Sequence, residues 1–82
     1  MSREEVIKTV NTFLVEEIEL DEKILKEDAL LKEDLGIDSL DFVDIVVIVE
    51  RYFGFKIKPE EMSNVRNLAQ FYDYIESKVN QK

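Results

Sequence analysis

Hydrophobic residues along this chain fall into blocks of helical periodicity separated by polar stretches. Val6, Ile7, Val10, Phe13 and Leu14 recur at the spacing that lines one face of a helix. Ser2 and Glu5 stand at the head of this block, three residues apart, where each side chain can bond the other's backbone amide. The spacing predicts a first helix from Arg3 to Glu17. No period survives from Glu19 to Asp38, yet Leu20, Ile24, Leu25, Leu30, Leu31, Leu35 and Ile37 are scattered through it. A connection this long and this apolar is predicted to lie pinned across the helices as a partly ordered arm.

The next block, Ser39 to Phe53, contains Ile45-Val46-Val47-Ile48-Val49, a β-branched run that alone reads as a buried strand. Three features favour a helix instead. The block is longer than the usual strand of about 3–10 residues, its start carries capping side chains, and Gly54 suits the position just past a helix end. On a helical wheel Phe42, Ile45, Val46, Val49 and Phe53 fall on one side, and Leu40, Val43, Asp44, Val47 and Arg51 on the other. The first face is a core. The second, rimmed by Asp41, Asp44 and Glu50, reads either as a patch for docking another protein or as a strip covered by the long loop.

Pro59 suits the first position of a short helix with Glu60, Glu61 and Met62. Asn64 is predicted to cap a last helix carrying Val65, Leu68, Phe71, Tyr72, Ile75 and Val79. The expected architecture is therefore all-α: a single domain over 1–82 forming a four-helix bundle, three longer helices and one short, with a long loop between the first two.

Composition narrows the function. At 82 residues with 45% hydrophobic and 37% charged positions, the chain can form one modest core. It has no run of about 20 apolar residues to span a membrane, and Met1 to Glu5 is too polar for a signal peptide, so a cytoplasmic monomer is expected. The absence of Cys and His removes disulfides, thiolate nucleophiles, the usual zinc ligands and the commonest general base. A substrate of other enzymes is expected, not a catalyst. The net charge of −8 is unevenly placed: Glu16 to Asp44 holds twelve acidic and three basic residues, and the remainder is close to neutral. That excludes a nucleic-acid partner and favours proteins with a basic docking patch. No twelve-residue window has the alternating ligands, central Gly and final Glu of a calcium loop, and no metal site is expected.

The densest chemistry lies in Asp34-Leu35-Gly36-Ile37-Asp38-Ser39-Leu40-Asp41, one hydroxyl among carboxylates at the start of a long apolar segment. Gly36 permits a turn that a Cβ would penalise, and either Asp38 or Ser39 can cap the helix. A phosphodiester on Ser39 would lie at the positive end of the helix dipole. With no His or Cys partner in the chain, Ser39 is an unactivated nucleophile, so a base and a metal must come from another protein if it reacts.

The segment Leu35-Gly36-Ile37-Asp38-Ser39-Leu40-Asp41-Phe42-Val43-Asp44, followed by Phe53-Gly54-Phe55-Lys56-Ile57, resembles the attachment motif and helix exit of the acyl carrier proteins. The resemblance covers nearly all of the chain. It implies 4′-phosphopantetheine attached covalently to Ser39, an acyl group held there as a thioester, and presentation to fatty-acid, polyketide or related pathway enzymes. Implied partners are a phosphopantetheinyl transferase and acyl-activating, ketosynthase or acyltransferase enzymes with basic docking patches. Asp38, Leu40, Asp41, Val43, Asp44 and Val47 match docking positions, and Val46, Val49 and Phe53 match positions lining an acyl pocket. Arg51 and a bulky Ile48 at a flank depart from the pattern of fatty-acid carriers and point to a carrier dedicated to one pathway. An aminoacyl or peptidyl carrier shares the same chemistry, whereas an acidic helical adaptor would stay unmodified.

Overall fold

The computed structural model describes residues 1–80; the last two residues of the expected 1–82 domain lie outside the described residues. Three α-helices, α1 (Arg3–Glu16), α2 (Ser39–Phe53) and α3 (Leu68–Val79), combine with a short 3-10 helix at Pro59–Asn64. The long loop between α1 and α2 also holds a single 3-10 turn at Glu22–Ile24, which the sequence reading did not anticipate. The all-α bundle expected from periodicity is the fold found.

Helix α1 begins as the Ser2–Glu5 pairing requires. The Glu5 amide donates to Ser2 Oγ at 3.2 Å and the Ser2 amide to Glu5 Oε1 at 3.4 Å. Two otherwise orphaned donors are thereby satisfied. Its inner residues Val6, Val10, Phe13 and Leu14 are buried.

The β-branched run in α2 is helical despite its strand propensity. β-Branching costs a few tenths of a kcal/mol per residue in a helix, whereas complete burial of one aliphatic side chain contributes about 1.5–3 kcal/mol. Ile45, Ile48 and Val49 are all buried, so tertiary packing outweighs local preference. Ile48 is thus a core residue and not a flank, and its bulk carries no information about pathway. Gly54 closes the helix in the left-handed region at φ 79°, and its amide reaches Glu50 O at 3.0 Å.

The start of α3 corrects the sequence reading. Asn67, not Asn64, is the cap; Asn64 ends the short helix, and Val65 lies between the two in extended backbone. Asn67 accepts from the Gln70 amide at 2.9 Å while Gln70 Oε1 accepts from the Asn67 amide at 3.2 Å. The two preceding free amides are met by the loop: Leu68 donates to Ala29 O at 3.0 Å and Ala69 to Glu27 O at 2.9 Å. With Leu31 donating to Arg66 O at 2.9 Å, these bonds pin the loop across the start of α3, as its hydrophobicity led one to expect. Ala29 and Leu35 enter the core, whereas Ile24 and Leu30 stay partly exposed.

Helix α1 packs antiparallel on α3, since Arg3 bonds Asp73 and Glu76 while Asn11 meets Tyr72 one to two turns from the opposite end. Tyr72 is buried, and desolvation pushes its phenol up to about 12, so it remains a neutral donor to Asn11 Oδ1. Phe13, Leu14, Val49, Ile57, Leu68, Tyr72 and Ile75 form the centre of one apolar core that includes no buried charged side chain among the described residues.

Candidate functional site

The loop delivers Ser39 through a tight sequence of turns. Asp34 Oδ2 accepts from the Leu30 amide at 2.8 Å, Gly36 adopts φ 68°, and the Ile37 amide then donates to Leu31 O at 2.9 Å. A residue with a Cβ would be strained at Gly36, although open space surrounds it. Asp38 follows in extended backbone and is the N-cap of α2: its Oδ1 accepts from Leu40 at 2.9 Å and from Asp41 at 3.0 Å. Of the two capping candidates, the carboxylate has taken the role. Ser39 is left as the exposed first residue of the helix, and among the described residues its hydroxyl has no hydrogen-bond partner.

Beyond Ser39 the outer face of α2 is open to solvent. Leu40, Val43 and Val47 are 76%, 61% and 53% exposed, so the loop does not cover them. Asp44 is exposed beside them, and Glu50 and Arg51 continue the strip. Asp41 differs: it is half-buried, and its Oδ2 accepts from the Asp38 amide at 3.4 Å, which makes it part of the cap as well as of the acidic rim. Arg51 Nη1 lies 3.4 Å from Glu17 Oε1.

On the other side of Ser39 a hollow of about 680 Å³ opens to solvent, walled by Leu31, Ile37, Phe42, Met62 and Val65, with Lys32 and Ser63 at polar positions. Behind it lies a much smaller apolar void of about 20 Å³, where Leu14, Ile45 and Phe71 face the same Leu31, Ile37, Phe42 and Met62. Neither space is lined by Val46, Val49 or Phe53, the residues expected to form an acyl pocket. A helix rises about 1.5 Å per residue, which places Val49 and Phe53 roughly 15 and 20 Å along the axis from Ser39. Val49 is wholly buried in the core, and Val46 and Phe53 are half-buried. The hollow is built instead from the first inward turn of α2, the loop and the short helix. The walls supplied by Leu31, Ile37, Met62 and Val65 carried no sequence signal beyond their hydrophobicity, because segments far apart in the chain bring them together.

The site fits a group attached through oxygen. Its hydroxyl is exposed and uncommitted, it stands at a helix N-terminus, and an apolar hollow wide enough for part of a flexible chain begins beside it. No group of three or more acidic side chains among the described residues is placed to hold a metal ion, and no helix there is long and apolar enough to cross a membrane.

Comparison with known proteins points the same way. Residues 8–75 match the family model described as a phosphopantetheine attachment site. An acyl carrier protein of Thermotoga maritima is 37% identical over 95% of this chain and 96% of its own length. Those of Guillardia theta and Phytoplasma mali are 34% and 30% identical, over 96% and 90% of this chain and 98% and 88% of their own lengths. An uncommitted serine at a helix start, set beside an apolar hollow, thus occurs in a chain similar to these carriers along nearly its whole length, and the chain belongs to the phosphopantetheine-binding acyl carrier protein family.

Proposed function

We propose that this chain is a single carrier domain over 1–82, without catalytic activity of its own, and that Ser39 bears its 4′-phosphopantetheine. The observation that carries this reading is the exposed Ser39 hydroxyl, which the cap of α2 leaves free because Asp38 takes both amides. When bound, the arm supplies a terminal thiol that holds an acyl group as a thioester. Ser39 offers the oxygen for attachment; with no His or Cys in the chain, the base and metal for attachment come from a phosphopantetheinyl transferase. Leu31, Ile37, Phe42 and Met62 offer the apolar surface nearest to the arm, taking the place expected of Val46, Val49 and Phe53. The partners are acyl-activating, ketosynthase or acyltransferase enzymes of fatty-acid, polyketide or related synthesis in the cytoplasm, met by the monomer through Asp38, Leu40, Asp41, Val43, Asp44 and Val47.

Incubation with coenzyme A, magnesium and a broad-specificity transferase is expected to add one phosphopantetheinyl group per chain, located on the peptide containing Ser39. Intact mass followed by peptide mapping reads this directly. An adduct on Ser2, Ser63 or Ser77 would overturn the assignment to Ser39, and none with several transferases would favour the unmodified adaptor.

The acidic strip has its own test. Asp44 is exposed and makes no capping bond, whereas Asp41 helps to hold the helix start, so Asp44→Lys is the cleaner probe of docking. The variant is expected to melt within a few degrees of the wild type, because an exposed charge is worth about 1 kcal/mol or less to folding. Its rate of modification at low salt is expected to fall several-fold, since complementary charge acts chiefly on encounter. Rates that respond equally to salt in the wild type and in the variant would remove Asp44 from the docking surface.

A further inference from the structure

The outer hollow and the inner void share four walls, Leu31, Ile37, Phe42 and Met62, and differ greatly in size. The inner space, about 20 Å³, has room for about one water molecule. An acyl chain arriving from Ser39 can therefore lie in the outer hollow, but it can enter the interior only if a wall moves. Phe42 belongs to the 15-residue helix α2, and Leu31 is tied through its amide to Arg66 O and through its carbonyl to the Ile37 amide. Met62 is different. It rides on the six-residue 3-10 helix, a geometry with weaker backbone bonds.

Met62 itself is buried in the core, and the polar contacts from that helix to α3 converge on one side chain. Glu61 Oε1 accepts from the Tyr74 hydroxyl at 2.9 Å, and Lys78 Nζ stands 3.1 Å from the same carboxylate. Tyr74 and Lys78 are one turn apart on α3, and the Lys78 ammonium lies 5.7 Å from the centre of the Tyr74 ring. The Tyr74 hydroxyl also accepts from the Lys58 amide at 3.4 Å, just before the short helix begins. Lys78 and Tyr74 hold the Glu61 carboxyl below its usual range, so it is charged at neutral pH.

We propose that Glu61, gripped by Tyr74 and Lys78, is a latch that holds Met62 between the two spaces and so limits the length of acyl chain this carrier can shelter from water. The inference rests on Ser39 bearing the arm, and it names the property of the cargo that the fold selects. An exposed ion pair contributes little to global stability, but it can govern a local opening, which draws on far less free energy than unfolding.

Two measurements test it. In the unmodified protein, Glu61→Gln and Lys78→Met should speed hydrogen exchange at the Glu61 and Val65 amides, which bond within the short helix, and leave the Leu68 amide unchanged. In the second, Ser39 is loaded with butyryl, octanoyl and dodecanoyl arms through a stable amide, with intact mass checked first. The rise in Tm over the unacylated form should level off by octanoyl in the wild type. In both latch variants it should continue to dodecanoyl by several degrees, with no difference at butyryl. Lys78→Arg should behave as wild type. Asp73→Asn, which breaks an exposed pair with Arg3 elsewhere on α3, should leave the length dependence alone. Exchange and length dependence that match the wild type, or an equal effect from Asp73→Asn, would overturn the latch. Failure to load any arm would overturn the carrier reading, while the exchange result still decides whether Glu61 holds the short helix.

Discussion

Ser39→Ala is expected to fold with wild-type stability and to accept no phosphopantetheinyl group at all. Both halves follow from who caps α2. Had Ser39 been the cap, its removal would cost roughly 1 kcal/mol and any loss of modification could be blamed on a frayed helix. Asp38 holds the Leu40 and Asp41 amides instead, and Ser39 Oγ bonds to nothing among the described residues, so its loss should stay within about 0.5 kcal/mol. Asp38→Ala is the complementary variant: it should lower stability by about 1 kcal/mol and slow modification without abolishing it. Urea melts and intact mass on the two proteins separate the roles. A destabilised Ser39→Ala, or one that still gains the adduct, would contradict the assignment.

The second large effect separates the two faces of α2. Val49 is fully buried, and Val49→Ala should cost roughly 1–3 kcal/mol through lost burial and a small cavity. Val47, two residues earlier and 53% exposed, should lose no more than about 0.5 kcal/mol on the same change, yet transfer by partner enzymes should weaken. Val43→Ala should follow Val47→Ala. Val46 is half-buried and should fall between the two classes. Denaturant melts and acyl-transfer rates on the four variants decide it. If Val43→Ala and Val47→Ala destabilise as much as Val49→Ala, the outer strip is structural and partners dock elsewhere.

The helices and the exposed serine at the start of α2 were legible because their signals are local. The Ser2–Glu5 pair, the Asp38 cap and Gly54 each act within a few residues of themselves, and together they override the β-branched centre of α2. Asn67 was legible too, had its partner been weighed: Gln70 stands three residues on, the reciprocal spacing already seen at Ser2 and Glu5, whereas Asn64 has no such partner. Ile48 was misplaced because a wheel assumes one flat neighbour, while α2 is covered over a wider arc. The hollow beside Ser39 was not legible. Its walls come from residues 31, 37, 42, 62 and 65, and only the folded chain shows that the loop and the short helix meet at the mouth of α2.

The antiparallel contact of α1 with α3 has a consequence for the time the chain needs to fold. Its side-chain bonds join residues 61, 70 and 73 positions apart, and the loop meets the start of α3 across a shorter but still long separation, from residue 30 to 67. Long loops must close before any of these contacts forms, and that entropy is lost before packing repays it. A bundle with consecutive helices side by side avoids this cost. This small helical protein should therefore fold more slowly than its helix content implies.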